Sequence, residues 1–487
     1  MMSATEAYLV RYRNMVFKKK LYKLNPQDEP PELIRTHITK RKTKTVKITP
    51  RSNERKVREM FSKRVSGTSV GLWFLVSEHL RLGSWDLLKG WTASGDNDIA
   101  PRMAMQMVHE SALCVTGIRS RHSLCHQGFE LINGLPYLVS DHSIHELLDK
   151  HTIAEAFQLQ LNLGQLRQIN GHYKGDLLAL DPHRIPTHSQ RIMPKKKKLP
   201  KEPSKKVLQT FFAIDVKTGQ PLGLTIGSSG KTATKASVEL LEMTDKILFQ
   251  PPHTKPSGLI LADTEHFTVE LLKYIKQKTS FDILVPAPNY VKIQKLIKGL
   301  DYQKMWAGYA IAQTDYKFNE EKQSFKLLAE RNGEIQSQYQ YKAFISTTDQ
   351  SALKMLTENY DKRWTIEEFF NFEGAMGWNR ASTMNFNIRF GKMSLALIAQ
   401  AAAYQFRQKL PAPYKQWTAK TLADNIFHGI DGDLRVIDDT IVVTLYNVSE
   451  ELNLKRHYEN LPYILETEGV DPRVPWLYNL KVDFRFK

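Results

Sequence analysis

Three acidic residues stand where a chain could use them together to hold cations. Asp181 closes the apolar run Leu177-Leu178-Ala179-Leu180, and Asp263 closes Leu259-Ile260-Leu261-Ala262. Glu367 lies four residues after Arg363 and seven after Tyr360. A short apolar run reads as a buried strand, and a carboxylate at its end has its geometry fixed by the sheet. Carboxylate oxygens are hard ligands, so three of them from separate segments suffice to hold magnesium beside substrate phosphate and water. Two such ions, roughly 3.5–4 Å apart, activate the attacking oxygen and stabilise the leaving oxygen of a phosphodiester. The chemistry would be hydrolysis or transfer of that bond.

Each acid also has an ordinary explanation. Asp215 closes the run Phe211-Phe212-Ala213-Ile214 in the same way, yet it opens the turn signal that ends at Gly219 and so has a structural task. Asp181 precedes Pro182 and could serve a turn, while Asp263, followed by Thr264 and Glu265, could cap a helix. Arg363 and Glu367 have the spacing of a surface ion pair on a helix. Thr365-Ile-Glu-Glu368 fits a capping box, which would start a helix near Trp364 and leave Tyr360 and Arg363 in its approach. A hydroxyl and a forked guanidinium just ahead of a helix N-terminus would make a phosphate grip.

The elements that must position these residues alternate. Leu177–Asp181, Thr210–Val216 and Pro221–Ile226 read as strands, 233–249 as a helix, Leu259–Asp263 as a strand, Thr268–Lys278 as a helix and Phe281–Pro286 as a strand. Three strands, a helix, a strand, a helix and a strand is the order of an RNase H-like mixed α/β sheet, with helices expected on both faces. Residues from about 302 to 346 show no helical period and read as a β-rich insertion ahead of the Glu367 segment. A long apolar helix from about Ile388 to Gln408 follows, then a hairpin over Leu434–Tyr446 turning at Asp438-Asp439. The region from about 70 to 170 is helical in pattern. Ser143-Ile-His-Glu146 and Thr152-Ile-Ala-Glu155 both fit capping boxes, so two consecutive helices should start there, as a helix-turn-helix unit or a plain bundle.

With 487 residues, 41% of them hydrophobic, the chain has room for two to four domains, and its formal net charge of +18 favours a polyanionic partner. Nucleic acid is the first candidate, because cations near a phosphate chain release condensed counterions. No signal peptide, lipidation site or membrane-length apolar helix is present, so a membrane is not expected. The two cysteines, Cys114 and Cys125, are too few for a disulfide framework and suit a reducing cytoplasm. With His122 and His126 they raise a zinc site, but the paired short spacings of structural zinc motifs are lacking. The first 64 residues read as a basic arm, densest at Thr39–Lys47, and Lys195, Lys196, Lys197 and Lys198 form an exposed, proline-flanked cluster. Both have a plain alternative as solvated charge runs.

At Tyr360, Arg363 and Glu367 the sequence resembles the DDE transposases of the family-four type of insertion sequence. The third acidic segment of that family carries Tyr, two residues, Arg, three residues, Glu, six residues, Lys. Trp364, Ile366 and Phe370 match its hydrophobic company, and the order Asp181, Asp263, β-rich insertion, Glu367 is similar too. The last signature position departs, being Gly374 in place of Lys, with Arg380 and Lys392 as nearby cations.

The resemblance covers residues 175 to 410 or so, and with the pattern along the chain it gives a division into a basic arm (1–64), a helical DNA-binding region (65–175), an RNase H-like catalytic core (176–287 and 353–410), the β-rich insertion (288–352) and a mixed C-terminal region (411–487). It implies a recombinase that binds terminal inverted repeats, nicks DNA and joins the freed 3′ hydroxyl to a target. Asp181, Asp263 and Glu367 would hold two Mg2+ ions, with Mn2+ as the alternative, and Tyr360 and Arg363 would grip a phosphate. Trp306 or Trp364 would stack a displaced base, although core packing is the commoner role for each, and His183 reads as a solvated loop histidine. The partners would be the element ends and target DNA, the protein a dimer when synapsed, and the location the bacterial cytoplasm, in association with the nucleoid. Two other readings stand beside this one, a non-catalytic DNA-binding derivative and a nuclease without strand joining.

Overall fold

In a computed structural model the chain is described at residues 50–115, 124, 128–190, 192–196, 203–248, 258–318, 323–380 and 383–487. The basic arm up to residue 49 lies outside the described residues, as do His122, Cys125, His126, Lys197 and Lys198. The chain forms two compact units, one of Gly171–Phe370 and one of Met1–Asn170 with Asn371–Lys487.

Residues 50–170 are mainly helical: α1 (Pro50–Ser62), a short strand β1 (Val65–Gly67), α2 (Phe74–Leu82), α3 (Ser84–Thr92), α4 (Ile99–Ala112), α5 (Asp141–Lys150) and α6 (Ile153–Ile169). The capping box expected at the start of α6 is formed. Thr152 Oγ1 accepts from the Glu155 amide at 3.2 Å, and Glu155 Oε2 accepts from the Thr152 amide at 2.7 Å. The box expected at Ser143 is not. Helix α5 starts earlier, because Ser140 adopts the extended cap conformation and its hydroxyl accepts from the Ser143 amide, with Asp141 placed favourably in the first turn. Glu146 instead pairs with Lys150 one turn on, at 2.9 Å. Helix α6 is buried continuously from Leu159 to Gly164, with Ala154, Glu155, Gln158 and Gln165 partly exposed.

The unit Gly171–Phe370 is built on the strands β2 (Leu177–Pro186), β3 (Val207–Asp215), β4 (Gln220–Ser228), β5 (Gly258–Ala262), β6 (Phe281–Pro286), β7 (Gln303–Trp306), β8 (Tyr309–Tyr316), β9 (Phe325–Asn332) and β10 (Gln340–Ser346). They make one sheet in the order β4-β3-β2-β5-β6-β10-β9-β8-β7. Strands β2, β5 and β6 run parallel, and every other neighbour is antiparallel. Helices α7 (Ala233–Leu248) and α8 (Val269–Lys278) complete the expected alternation, and α9 (Val291–Lys298) is a helix inside the span expected to be β-rich. Strand β5 is buried at all its positions, as a parallel strand covered on both faces must be. Helix α7 packs on β3 and β4, burying Leu240, Leu241 and Ile247, and α8 packs on β6 through Leu271, Leu272 and Ile275. Each such side chain contributes about 1.5–3 kcal/mol when fully buried.

Two features of this sheet differ from or add to the sequence reading. Strand β2 does not end at Asp181 but continues to Pro186, because its antiparallel pairing with β3 runs unbroken from Leu178↔Asp215 to Pro186↔Val207. The β-rich insertion is continuous with the main sheet, since β10 pairs with β6 at Phe344↔Pro286.

Helix α10 (Thr365–Glu373) leads out of this unit, and α11 (Phe386–Gln408) is the core of the other. Asn385 caps α11 by accepting from the amides of Asn387 and Ile388, and the helix packs against α2, α4, α5 and α6. Three hydrogen bonds cross its buried surface: Gln160 Nε2 donates to Ser394 Oγ at 2.9 Å, Arg167 Nη1 to Gln400 Oε1 at 3.0 Å, and Arg407 Nη1 to Glu373 Oε1 at 2.6 Å. The C-terminal strands β11 (Gly432–Ile437), β12 (Thr440–Leu445) and β13 (Lys481–Phe486) join β1 in a second sheet, in the order β1-β11-β12-β13. The hairpin turns at Asp438-Asp439 as expected, with Asp438 at a φ of 56°. Among the described residues no helix is long and apolar enough to cross a membrane.

Candidate functional site

Asp181 and Asp263 are brought side by side by register. Leu180 and Ala262 are paired on the parallel strands β2 and β5, so the next residue on each is one of the two acids. Asp181 lies within β2, opposite Phe212 of β3, and Asp263 follows the last residue of β5. There Asp263 does act as a cap. Its Oδ1 accepts from the Glu265 amide at 3.0 Å and from His266 Nδ1 at 2.7 Å, which starts the 3-10 turn Thr264–His266.

The third segment meets them through Arg363. Tyr360–Trp364 forms a 3-10 turn that feeds α10, so Tyr360 and Arg363 lie in the approach to the helix and Glu367 lies in its first turn. The Arg363 guanidinium reaches Glu367 Oε1 at 3.0 Å and Asp181 Oδ1 at 3.8 Å. The spacing of four residues therefore does make an ion pair, with Glu367 35% exposed and the more shielded Arg363 shared with Asp181 of β2. Only 15% of the Arg363 side chain and 18% of that of Asp181 are exposed. Tyr360 packs its ring edge-on against Phe344, with centroids 4.8 Å apart.

The electrostatics follow from this burial. Asp181 is pushed up to about 7 by its removal from water and by the neighbouring Asp263 charge, which Arg363 only partly offsets. Burial also acts against the Asp263 anion, but the hydrogen bonds from His266 and the Glu265 amide outweigh it and hold that carboxyl below its ordinary value. Burial would lower Arg363, yet Asp181, Tyr360 and Glu367 together hold it above its ordinary value. Tyr360 is pushed up to about 12 by burial.

The donor chemistry suits a hard divalent cation: three carboxylates, one of them costly as an unpartnered anion. Even so, among the described residues no group of three or more His, Cys, Asp or Glu side chains is gathered closely enough to hold a metal ion. In this arrangement the positive charge between Asp181 and Glu367 is the Arg363 guanidinium.

Other expectations resolve differently. Asp215 has the structural task assigned to it, since it is fully buried and accepts from the amides of Lys174, Gly175 and Thr218 and from the Thr218 hydroxyl. His183 is not a loop histidine; it lies on β2, half-buried, with its ring 4.6 Å from that of Phe370. Trp306 and Trp364 are not core residues either, being 51% and 59% exposed. Trp306 stacks on Tyr309 at the sheet edge, and Trp364 lies under the Arg363 guanidinium. Lys195 is exposed, whereas Lys196 is half-buried, bridges to Lys205 and donates to Gln209 Oε1 at 3.2 Å. The zinc reading gains nothing from Cys114, whose thiol burial pushes up to about 12.

Gly374 falls where α10 has already ended. The helix stops at Glu373, and the Gly374 carbonyl closes a tight turn by accepting from the amides of Gly377, Trp378 and Asn379. A Cβ at 374 would stand 2.5 Å from the Asn379 side chain, so a lysine there would first have to displace it.

The residue that sequence reasoning missed is His266. Its side chain is wholly buried against Asp263, and the only signal was its place three residues after that acid.

Residues 172–401 match the family model described as a transposase DDE domain, and this supports a transposase function. No curated protein matches the chain. Among solved structures the chain is similar to a piggyBac transposase in a synaptic complex with hairpin DNA, at 12% identity and a TM-score of 0.38, over 75% of this chain and 82% of that one.

Proposed function

We propose that the protein is a DDE transposase of the family-four type, which binds the terminal inverted repeats of an insertion sequence, nicks DNA and joins the freed 3′ hydroxyl to target DNA. The observation that carries this reading is the adjacency of Asp181 and Asp263 on neighbouring parallel strands, with Glu367 tied to Asp181 through Arg363, inside the segment that matches a transposase DDE domain. The order β4-β3-β2-β5-β6, with β2, β5 and β6 parallel, supports an RNase H-like core.

Asp181, Asp263 and Glu367 would hold two Mg2+ ions, or Mn2+ in their place. Such ions, when bound, activate the attacking oxygen and stabilise the leaving one. The rest is done by the chain. Burial makes Asp181 a poor anion unless a cation faces it, so the site is built to keep one there. Arg363 fills that role in this arrangement, and an incoming phosphate offers its forked guanidinium a second anionic partner. Tyr360 stays protonated near neutral pH, because burial holds its hydroxyl up, and so it donates to a phosphate oxygen. The net charge of +18, including Lys195 to Lys198, supplies the attraction to DNA. Synapsis of two ends calls for a dimer on DNA, acting in the bacterial cytoplasm.

The test is incubation of the full chain with Mg2+ and DNA carrying the element's ends. Nicked and joined products are expected, and Asp181→Asn, Asp263→Asn and Glu367→Gln should each cut the rate by about a thousandfold or more while leaving binding in place, since several kcal/mol of charge stabilisation are lost. Binding by the unaltered protein without cleavage would overturn the enzyme reading. It would favour a non-catalytic DNA-binding derivative, to which the turn at Gly374, in place of a helical lysine, also points. Cleavage without joined product would identify a nuclease.

A further inference from the structure

We infer that His266 is a positioning residue, which clamps Oδ1 of Asp263 so that Oδ2 is the oxygen offered to a divalent cation; this rests on the reading of Asp263 as a metal ligand.

Both hydrogen bonds that the Asp263 carboxylate accepts among the described residues go to the same oxygen. The Glu265 amide donates to Oδ1 at 3.0 Å and His266 Nδ1 approaches it at 2.7 Å, while Oδ2 takes no side-chain or amide hydrogen bond among the described residues. A carboxylate can only accept, so Nδ1 must carry the proton and donate it. The imidazole is itself held rigidly. Its backbone closes the turn, with the His266 amide donating to the Asp263 carbonyl at 3.0 Å and the Thr268 amide donating to the His266 carbonyl at 2.8 Å. The side chain has no solvent exposure, whereas that of Asp263 is 31% exposed. One oxygen of the acid is therefore tied into the protein interior and the carboxylate torsion is fixed.

The choice of histidine is not explained by packing. Its Nε2 is buried without a hydrogen-bond partner, an unfavourable arrangement that an apolar side chain of similar size would avoid. Capping alone does not require the ring either, because the Glu265 amide already supplies the cap. What the ring adds is a second donor on Oδ1 from a fixed direction. Groups that orient a metal-binding side chain in this way commonly change metal affinity by about 10–100-fold when removed.

The experiment is calorimetric titration of the full chain with Mn2+ alone, without DNA, on the unaltered protein and on His266→Ala, His266→Asn and His266→Gln, with folding checked by circular dichroism. The side-chain amide of Asn stands near the position of Nδ1, and that of Gln near Nε2. His266→Ala and His266→Gln should weaken Mn2+ binding by about 10–100-fold, and His266→Asn should stay within a few-fold of the unaltered protein. Should His266→Ala fail to fold, the contrast between Asn and Gln carries the test. Unchanged affinity in a folded Ala variant, or equal losses in the Asn and Gln variants, would overturn the assignment. Absence of Mn2+ binding by the unaltered protein would overturn the metal reading itself and this assignment with it, an outcome distinct from a failure confined to the variants.

Discussion

Asp215 and Asp181 each follow an apolar run, and their surroundings give them opposite tasks. Asp215 is fully buried with four donors turned toward it, from Lys174, Gly175 and both donors of Thr218. Asp181 has Arg363 at the longer distance of 3.8 Å and a neighbouring carboxylate that opposes its charge. One is a satisfied anion, the other a strained one. Asp215→Ala should therefore destabilise the protein by about 3 kcal/mol or more, since it leaves buried amides without an acceptor. Urea unfolding checks this, and a loss below about 1 kcal/mol would mean that water replaces the carboxylate. The sequence supported the structural reading of Asp215 through the turn to Gly219, which takes a φ of 67°. It could not rank Asp181 above it, because donor count and burial depend on what the fold brings near.

At the scale of elements, local signals were readable wherever a single choice existed. The box at Thr152 formed, the strand Phe281–Pro286 has the expected limits, and the hairpin turns where two aspartates meet. Where two caps competed, the chain took the earlier one. Ser140→Ala should cost about 1 kcal/mol and Ser143→Ala less than about 0.5, because only Ser140 accepts an orphan amide of α5. Thermal melts of the two variants decide it, and equal losses would show that the cap is shared. Strand length was less legible, since β2 outruns its apolar run through pairing with β3, which no local pattern encodes. The two tryptophans stay outside the core for a related reason: composition places large aromatics inside, but β7 is an edge strand and Trp364 ends an irregular turn.

The molecule as a whole carries a pH dependence in its helical unit. His109 is fully buried, with Nδ1 2.6 Å from Asn133 Oδ1 and its ring 5.2 Å from that of His79, and burial pulls it down to about 4. An unfolded histidine titrates near pH 6.5. Between these values the unfolded chain binds a proton that the folded chain does not, so stability falls as pH drops from about 6.5 to about 4, by on the order of 3 kcal/mol for this group. His79, also lowered well below its ordinary value by burial, adds to the slope. Denaturant unfolding across that range should show a steeper loss for the unaltered protein than for His109→Gln, and parallel curves would show that His109 titrates normally in the fold. On the same scale, the succession of strands and helices, the basic charge and the candidate acids were legible along the chain, because apolar period, turn residues and ionisable side chains are local properties. Folding alone sets β2 beside β5 in register, joins Asp181 to Glu367 through Arg363, and places His266 against Asp263. Those are contacts between segments about 80 or more residues apart or buried choices within a turn, and they are fixed by sheet pairing and exclusion of water, which no window of sequence contains.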